Sequence, residues 1–330
     1  MARRRNGFSL LELAVCVFIV GLLAALVLPA LNKPRHNSRI SNCQNNMAVN
    51  VGKAHLQYAT INERYCGYVN SFGQDHKAVS WVVPIFEYID RHDLANAWRG
   101  RNYEWEDANQ TIPAKVLHPD WCIDLLVCPE NRPADGTNSP LSYIVNGGYA
   151  GDKPPACEDE ACANLEAGTG ENVANGVFFD QYGPGKRGSF NPHYARSVSM
   201  EYLAQHDGAS RTLMLSENVQ LVTTWYTTAE DRAPLAMVWY QDALDTNGSG
   251  LETHRINHGK TLDAAGRLDF ARPSSNHFHG VNVTFCDGHG KFISDSIDYR
   301  VYKQTMTSAS YHSDDQNPGV YDIDWNELEW

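Results

Sequence analysis

The sequence is short of positive charge. It contains 27 lysine and arginine residues against 39 aspartate and glutamate residues, and the formal net charge is −12 at pH 7. Proteins that bind nucleic acid normally present a basic patch to the phosphates, so this balance argues against that class. The chain also lacks a Gly-x-Ser-x-Gly elbow, a P-loop and a His-Glu-x-x-His helix. We therefore expect that the protein is not an enzyme.

Charge is also absent from one long stretch near the start. No residue between Leu13 and Leu31 is charged, and this is about the length of helix that crosses the hydrocarbon of a bilayer. Three arginines precede the stretch in a leader that ends at Gly7, and a single acid, Glu12, follows the glycine. An ordinary secretory signal is cleaved after its apolar core. Here the predicted junction precedes the core, so the apolar segment would stay on the mature chain.

This arrangement resembles the N-terminus of type IV prepilins and type II secretion pseudopilins. In that family a membrane peptidase cuts after the glycine, here Gly7, and the new N-terminal residue, here Phe8, is methylated. The resemblance implies that the mature subunit packs its apolar helix into the axis of a filament. Glu12 would then face the N-terminal amine of Phe8 in a neighbouring subunit, and an acid inside an apolar helix is a functional candidate by itself. The alternative is an uncleaved single-pass anchor with its arginines on the cytoplasmic side.

The resemblance also implies a location and a set of partners. Cleavage would leave 24 basic residues against 39 acids, a net charge of −15, which suits a solvated outward-facing domain. We expect a cell-envelope protein with a single pass through the inner membrane. Its ectodomain would lie on the periplasmic or extracellular side, alone or in a filament. The expected partners are the prepilin peptidase, other pilins or secretion components, the membrane, and further copies of the chain bound through the N-terminal helix.

A second helix follows the apolar run. Pro29 and Pro34 should kink or break the first helix. Beyond them, apolar residues recur at spacings of seven, four, three and four, which is a helical period: Ile40, Met47, Val51, Ala54 and Tyr58. The pattern predicts an amphipathic helix over residues 37–61, and a globular body is needed to cover its apolar side.

The remaining sequence predicts a mainly β body. Apolar runs at 211–218 and 236–241 are typical of buried strands, and 280–294 predicts a hairpin. Residues 79–98 have helical spacing, and 125–149 predict two strands around a loop. We therefore expect a pilin-like α+β fold, with a long N-terminal membrane-spanning stem helix packed against a mainly antiparallel β domain. The predicted divisions are a leader (1–7), the transmembrane half of the stem (8–31), its amphipathic half (32–62), the ectodomain (63–305) and an acidic tail (306–330).

Several scattered motifs are similar to a large bacterial family of prepilin-like proteins catalogued as domain of unknown function 1559. In the segment SSNHFHGVNVTFCDG, nine residues separate His277 from Asp287–Gly288, which is the H-x9-DG module that ends these proteins. The segments NCQNNM (42–47), VCPENRP (127–133) and SYIVNGG (142–148) also match. This chain departs from the family in two places: His279–Gly280 replaces a small Gly-Gly-like pair, and Cys66 and Cys122 are additional.

Two interpretations of the H-x9-DG module remain open. In the first, Asp287–Gly288 forms the hairpin turn, with the glycine at positive φ, and His277 or Asn282 hydrogen-bonds the loop before the first strand. In the second, imidazole and carboxylate groups hold a divalent transition metal: His277, His279, Asp287 and His289. The sequence favours the first because no activating base or nucleophile is evident nearby.

The cysteines raise the question of disulfides. The chain has eight, of which Cys16 lies in the apolar segment. A translocated domain sits in an oxidising space, where disulfides are the default. Cys286, in an apolar strand-like run, is the candidate for a free thiol. We predict a local disulfide between Cys157 and Cys162. Pairing cannot be deduced from sequence, so two further pairs, Cys43–Cys128 and Cys66–Cys122, are guesses.

One loop imitates half of a calcium site. Asp245, Asn247 and Ser249 offer oxygen ligands at alternate positions and a glycine follows them. The twelfth position is Ile256 rather than the glutamate that the full motif requires, although Glu252 could substitute. A polar turn is the favoured interpretation. Calcium is the one candidate cofactor that we retain.

These patterns favour a structural function. We expect a subunit of a type IV pilus or type II secretion pseudopilus-like envelope filament, processed by a prepilin peptidase. One alternative is a membrane-tethered ectodomain that binds glycans or other polymers, which the 8 tryptophans and 16 tyrosines would allow. A metal-dependent hydrolase ranks third because the usual motifs are missing.

Overall fold

The described chain divides into two units by its internal contacts, Met1–Ser41 and Asn42–Trp330. The structure is a computed structural model, and it describes residues 10–30, 32–73, 77–99, 123–131, 140–150, 172–182, 196–219, 223–225, 235–241, 256–257 and 272–312. By this division, residues 42–62 of the predicted amphipathic helix belong with the globular unit.

The first unit is helical wherever it is described. Helix α1 spans Leu10–Ala30 and carries Glu12 in its first turn, and helix α2 begins at Asn32 and ends at Gln44. Pro34 falls in the first turn of α2, where the missing N–H costs nothing. Within the described residues, no helix reaches the combined length and hydropathy required of a membrane span. An N-terminal helix is thus present, and the predicted membrane-spanning stem is not confirmed.

The globular unit begins with helical residues. A π-helical stretch, Asn45–Gly52, follows α2 directly, and helix α3 covers Lys53–Asn62. The helix ends where Glu63 adopts a left-handed conformation, with φ of 58°. The amphipathic helix predicted over 37–61 is therefore present, and the π-helical stretch in its middle is a feature that the periodicity did not predict.

The remaining elements are short strands and helices. In the described ranges, 3₁₀ turns lie among them at Phe86–Tyr88, Asp124–Leu126, Val173–Asn175 and Ser310–His312. In chain order the other elements are β1 (Val69–Phe72), β2 (Lys77–Ser80), α4 (Val82–Ile85), α5 (His92–Arg99), β3 (Pro140–Leu141), β4 (Tyr143–Ala150), α6 (Met200–Gln205), β5 (Leu213–Glu217), β6 (Thr223–Thr224), β7 (Ala236–Gln241), β8 (Gly280–Phe285), β9 (Gly290–Ser294) and α7 (Tyr299–Met306).

A five-stranded sheet organises the globular unit. Its strand order is β7-β4-β5-β8-β9; β4 and β7 are parallel, and the other neighbouring pairs are antiparallel. Two antiparallel pairs, β1–β2 and β3–β6, complete the described strands. The α+β class with antiparallel sheets is confirmed.

Both faces of the sheet are covered. Successive residues of a strand point to opposite faces, and along β4 Tyr143 and Val145 join one apolar cluster while Ile144 joins the other. The first cluster contains Met47 and Val51 of the π-helical stretch. The second contains residues of α7, such as Tyr302 and Met306. Because both faces are buried, polar side chains on these strands must find partners inside the protein.

Two local predictions were wrong. Residues 79–98 form the end of β2, α4, a 3₁₀ turn and α5 rather than one helix. Between the 3₁₀ turn and α5, Asp90 takes a left-handed φ of 60°, which ends the helical conformation there. Residues 124–126 form a 3₁₀ turn rather than a strand. The predicted strands β5 and β7 and the hairpin β8–β9 are confirmed.

Candidate functional site

The predicted processing site falls only partly within the described chain. Gly7 and Phe8 lie outside the described residues. Glu12 is exposed in the first turn of α1. The residues around it are apolar and exposed as well, for example Leu10 at 86% and Leu11 at 76%.

A second site lies inside the globular unit, where four side chains converge from distant parts of the chain. Cys43, Cys128, Glu217 and His277 offer one sulfur, nitrogen or oxygen atom each, and these atoms all lie within 4.8 Å of one another. All four residues are buried, with at most 2% of their surface exposed. We refer to these residues as the four-residue cluster. No other group of three or more such side chains comes together in the described residues.

Each member is delivered by a different element. Cys43 is the penultimate residue of α2, and Cys128 follows the 3₁₀ turn at Asp124–Leu126. The backbone N–H of Ser142 donates to the carbonyl of Leu126 at 2.9 Å, which holds this turn against the start of β4.

The other two members come from the sheet and the loop beside it. Glu217 is the last residue of β5 and pairs with Tyr143 of β4 in the strand register. His277 lies three residues before β8 begins. The cluster therefore connects the helix to the central strands.

The oxygen Oε1 of Glu217 is the centre of the cluster. It lies 2.5 Å from Sγ of Cys43, 3.3 Å from Sγ of Cys128 and 3.1 Å from Nε2 of His277. Sγ of Cys128 is also 3.5 Å from Nε2 of His277.

A shell of hydrogen bonds positions these side chains. The backbone N–H of Asn282 donates to Oε2 of Glu217 at 2.8 Å, and its side-chain amide donates to Oε1 at 3.2 Å. The hydroxyl of Ser275 accepts from the N–H of His277 at 3.1 Å and donates to the carbonyl of Gly280 at 2.6 Å. These contacts hold the Glu217 carboxylate and the loop that carries His277 in place.

Mutual contacts shift the protonation of the cluster. Burial lowers the pKa of His277, but hydrogen bonds and charge from Cys128 and Glu217 outweigh it and raise that pKa to about 10. Burial raises the pKa of Glu217, and the contact with His277 reverses this so that the net shift is downward. The hydrogen bond from Cys43 lowers the pKa of Cys128, whereas burial raises that of Cys43. These shifts favour a carboxylate at Glu217 and a protonated ring at His277, and they make Cys128 the more acidic of the two thiols.

The hairpin residues of the H-x9-DG module behave as a turn. Gly288 has φ of +88°, and its N–H donates to the carbonyl of Phe285 at 2.9 Å. Asp287 accepts from the backbone N–H of His289 at 3.1 Å. Asp287 and His289 are exposed at the turn, and His279 is exposed before β8. The structure therefore does not join these three to His277 as a metal site, although it does place His277 and Asn282 in one polar network.

The predicted disulfides have mixed outcomes. Cys43, Cys66, Cys128 and Cys286 are free thiols in the structure, so the guessed Cys43–Cys128 partners are neighbours without a bond between them. Cys66 lies 3.6 Å from Nδ1 of His55. The other partners lie outside the described residues, as does the candidate calcium loop: Cys122, Cys157, Cys162, Asp245, Asn247, Ser249 and Glu252.

Sequence reasoning missed the cluster although it had most of the parts. The segments NCQNNM, VCPENRP and SSNH each supply one member, Cys43, Cys128 and His277. Glu217 was not selected at all. The feature that could have identified Glu217 is its position at the end of a strand whose residues are all buried. A carboxylate in such a place must be paired inside the protein.

Comparisons with known proteins place the chain in a family. Residues 32–300 match the family described as "Protein of unknown function (DUF1559)", and residues 2–28 match the prokaryotic N-terminal methylation motif. No curated protein and no solved structure matches. The first match covers more than half of the 330 residues, and both resemblances drawn from the sequence are confirmed. The chain belongs to the DUF1559 family and carries a prepilin-type N-terminal methylation motif.

Proposed function

We propose that this protein is a structural subunit, without enzymatic activity, of an envelope filament of the type IV pilus or type II secretion pseudopilus kind. The observation that carries the proposal is the methylation motif over residues 2–28, the mark of pilin-like proteins that a prepilin peptidase processes. Such a motif implies a membrane-anchored protein of the cell envelope. The filament itself is the step that we add.

The surface of α1 supports assembly. Apolar side chains along residues 10–23 are exposed in the single chain, including Leu10, Phe18 and Val20 at 86%, 70% and 65%. Exposed apolar surface on this scale marks a contact with lipid or with other protein. A helix that is apolar on all sides is normally surrounded on all sides. In this proposal lipid covers the apolar surface of α1 before assembly, and neighbouring α1 helices cover it afterwards.

Glu12 is the proposed determinant of assembly. It is the single acid of α1, and a carboxylate in apolar surroundings is stabilised by an opposite charge. The amine released by cleavage after Gly7 supplies that charge on a neighbouring subunit. In this proposal Glu12 selects the register in which a new subunit enters the filament.

The N-terminus of the native protein tests the proposal first. We expect mass spectrometry of protein from native envelopes to find a chain that begins at N-methylated Phe8. A chain that begins at Met1 or Ala2 would identify an uncleaved anchor and overturn the proposal. The Gly7→Val variant, which changes the residue before the predicted junction, should remain uncleaved.

Assembly is tested separately. Glu12→Ala should be processed and inserted normally and should be missing from sheared filaments or from cross-linked subunit ladders. The matched control is Glu201→Ala, which removes an exposed acid from α6. Equal incorporation of both variants would remove Glu12 from the mechanism.

The polymer-binding alternative has no specific observation in its favour. The strongly exposed aromatic residues of the described globular unit are Phe278 and Tyr311, at 72% and 79%. The described tryptophans of this unit are buried, among them Trp81, Trp225 and Trp239.

A further inference from the structure

We propose that the four-residue cluster, Cys43, Cys128, Glu217 and His277, binds a zinc ion as a closed structural site. The proposal does not depend on the proposed filament function, since the site lies within the globular unit Asn42–Trp330. It assigns a metal to three residues that the sequence placed in a disulfide or a hydrogen-bonded loop, Cys43, Cys128 and His277, and to Glu217, which the sequence did not single out.

The chemistry of the four groups fits zinc. Zinc in proteins is bound by thiolate, imidazole and carboxylate groups, and its structural sites hold four such ligands. Two sulfurs, one imidazole nitrogen and one carboxylate oxygen make up this set. Thiolates select softer ions and disfavour calcium or magnesium, which prefer oxygen ligands.

Hydrogen bonding alone accounts poorly for the convergence. Each oxygen of a carboxylate offers about two lone pairs, yet Oε1 of Glu217 meets both thiols, Nε2 of His277 and the amide of Asn282. Four donors exceed the acceptor capacity of one oxygen. A cation between the groups converts the sulfurs, the nitrogen and the oxygen into lone-pair donors directed at one point.

Three of the distances within the cluster are close to those of a tetrahedral site. Around a zinc ion with ordinary bond lengths, a sulfur and a nitrogen or oxygen ligand stand about 3.5 Å apart, and a nitrogen and an oxygen about 3.3 Å apart. Sγ of Cys128 is 3.5 Å from Nε2 of His277 and 3.3 Å from Oε1 of Glu217, and the last two atoms are 3.1 Å apart. Cys43 lies at 2.5 Å from Oε1, so metal entry requires these two atoms to separate by about 1 Å.

Outer contacts are of the kind that orient metal ligands. Glu217 keeps Oε2 on the backbone N–H of Asn282 at 2.8 Å, which leaves Oε1 directed into the cluster. The hydroxyl of Tyr143 lies 3.5 Å from Sγ of Cys43, within reach of a thiolate. Groups that hold the ligands in this way commonly raise metal affinity.

Burial makes the site structural rather than catalytic. The four members are at most 2% exposed, and all four coordination positions are filled by protein. A catalytic zinc keeps one position open for water or substrate. The ion would instead join the end of α2, the 123–131 segment, β5 and the loop before β8.

A disulfide between Cys43 and Cys128 is the competing arrangement. It would use two of the four converging groups and leave Glu217 and His277 as a buried ion pair beside it. The zinc site uses all four groups, and so we favour it.

Metal content tests the proposal directly. The full chain is purified in detergent under non-reducing conditions and without chelators, and zinc is measured by inductively coupled plasma mass spectrometry. We expect about one zinc ion per chain, with loss of that zinc in Cys128→Ser and in His277→Gln. The matched control is Cys286→Ala, because Cys286 is a fully buried thiol outside the cluster, and this variant should retain its zinc.

A labelling experiment on the unmutated chain covers the case in which variants do not fold. Alkylation followed over time, so that it samples local opening, should modify Cys43 and Cys128 more slowly in the zinc-loaded protein than after chelation, while the buried thiol of Cys286 outside the cluster reacts at the same rate in both states. Added zinc should restore the protection. The proposal is overturned if peptide mapping finds a Cys43–Cys128 disulfide, if chelated protein takes up no zinc, or if Cys128→Ser retains a full equivalent.

Discussion

Glu12 and Glu217 are two carboxylates set among apolar residues in two different regions of the protein. Glu12 lies in the first turn of α1, where the leucines and valines beside it face outward. Glu217 is 1% exposed at the end of β5, and Cys43, Cys128 and His277 surround it. The first lies on an exposed surface, and the second is surrounded by groups from its own chain. The globular unit thus pairs its buried carboxylate with its own side chains, whereas α1 carries its carboxylate on an exposed apolar surface.

Removing each carboxylate in turn should give the largest difference in unfolding free energy between the two regions. Glu217→Ala removes the carboxylate that contacts both thiols and His277, and loss of one member from a buried charged group costs about 3–5 kcal/mol of unfolding free energy. Glu12→Ala should leave that free energy unchanged. Urea unfolding followed by tryptophan fluorescence measures both. Equal stability of the two variants would contradict the comparison.

The globular unit should also lose stability in acid through His55. This residue is fully buried, and burial lowers its pKa from 6.5 to about 3. In the unfolded chain His55 therefore binds a proton below about pH 6.5, whereas in the folded chain it stays neutral down to about pH 3. Stability from this residue is present above pH 6.5 and falls by about 1.4 kcal/mol per pH unit between those values.

The control for the acid prediction is a second histidine. His55→Phe should flatten the pH dependence of the unfolding free energy between pH 6 and 4 relative to His92→Gln, which changes an exposed residue. If both variants follow the unmutated chain, the acid sensitivity comes from other groups.

Substitution of one glycine in each region should show how tightly that region is packed. A Cβ added at Gly280 would meet the carbonyl oxygen of Ile293 at 2.3 Å, whereas at Gly21 of α1 nothing lies within 4 Å. We expect Gly280→Ala to cost about 1–3 kcal/mol of unfolding free energy through overpacking and Gly21→Ala to leave the transition unchanged. Chemical denaturation of the two variants in parallel checks this. A tolerated alanine at residue 280 would mean that β8 and β9 can move apart.

The smallest expected effect on stability is at His279, in the loop before β8 that also carries His277. His279 adopts φ of 60°, a left-handed conformation that costs a residue with a Cβ about 1 kcal/mol. His279→Gly should therefore raise the unfolding free energy by at most about 1 kcal/mol, because part of the gain is lost to the greater freedom of glycine in the unfolded chain. A loss of stability would show that the ring contact between Phe278 and His279 matters more than the backbone.

The departure at residue 279 illustrates what a motif can predict. The resemblance predicted a small residue there, and the structure supplies the reason, since the backbone turns left-handed at that position before β8 begins. The same logic explains the hairpin: Asp287–Gly288 predicted a turn, and Gly288 has the positive φ that only glycine adopts without cost. Local backbone requirements of this kind are visible in the sequence.

Segment 79–98 shows where such local reasoning fails. Its apolar residues have helical spacing, yet the first of them end β2 and the rest divide into α4, a 3₁₀ turn and α5. Residues such as Trp81, Val82 and Phe86 are fully buried, and a buried segment is apolar whichever conformation it takes. Hydrophobic spacing therefore could not distinguish one helix from three short elements.

The sequence by itself determined the parts of this protein that depend on neighbouring residues. These are the apolar helix with its acid, the methylation motif, the strands β5 and β7, and the turn at Gly288. Only the tertiary structure decided the four-residue cluster. Cys43 and Glu217 are 174 positions apart, and Cys128 and His277 are 149 apart, and no periodicity or spacing connects residues at that distance. They meet because both faces of the sheet are covered, which leaves polar side chains inside the protein with only one another as partners.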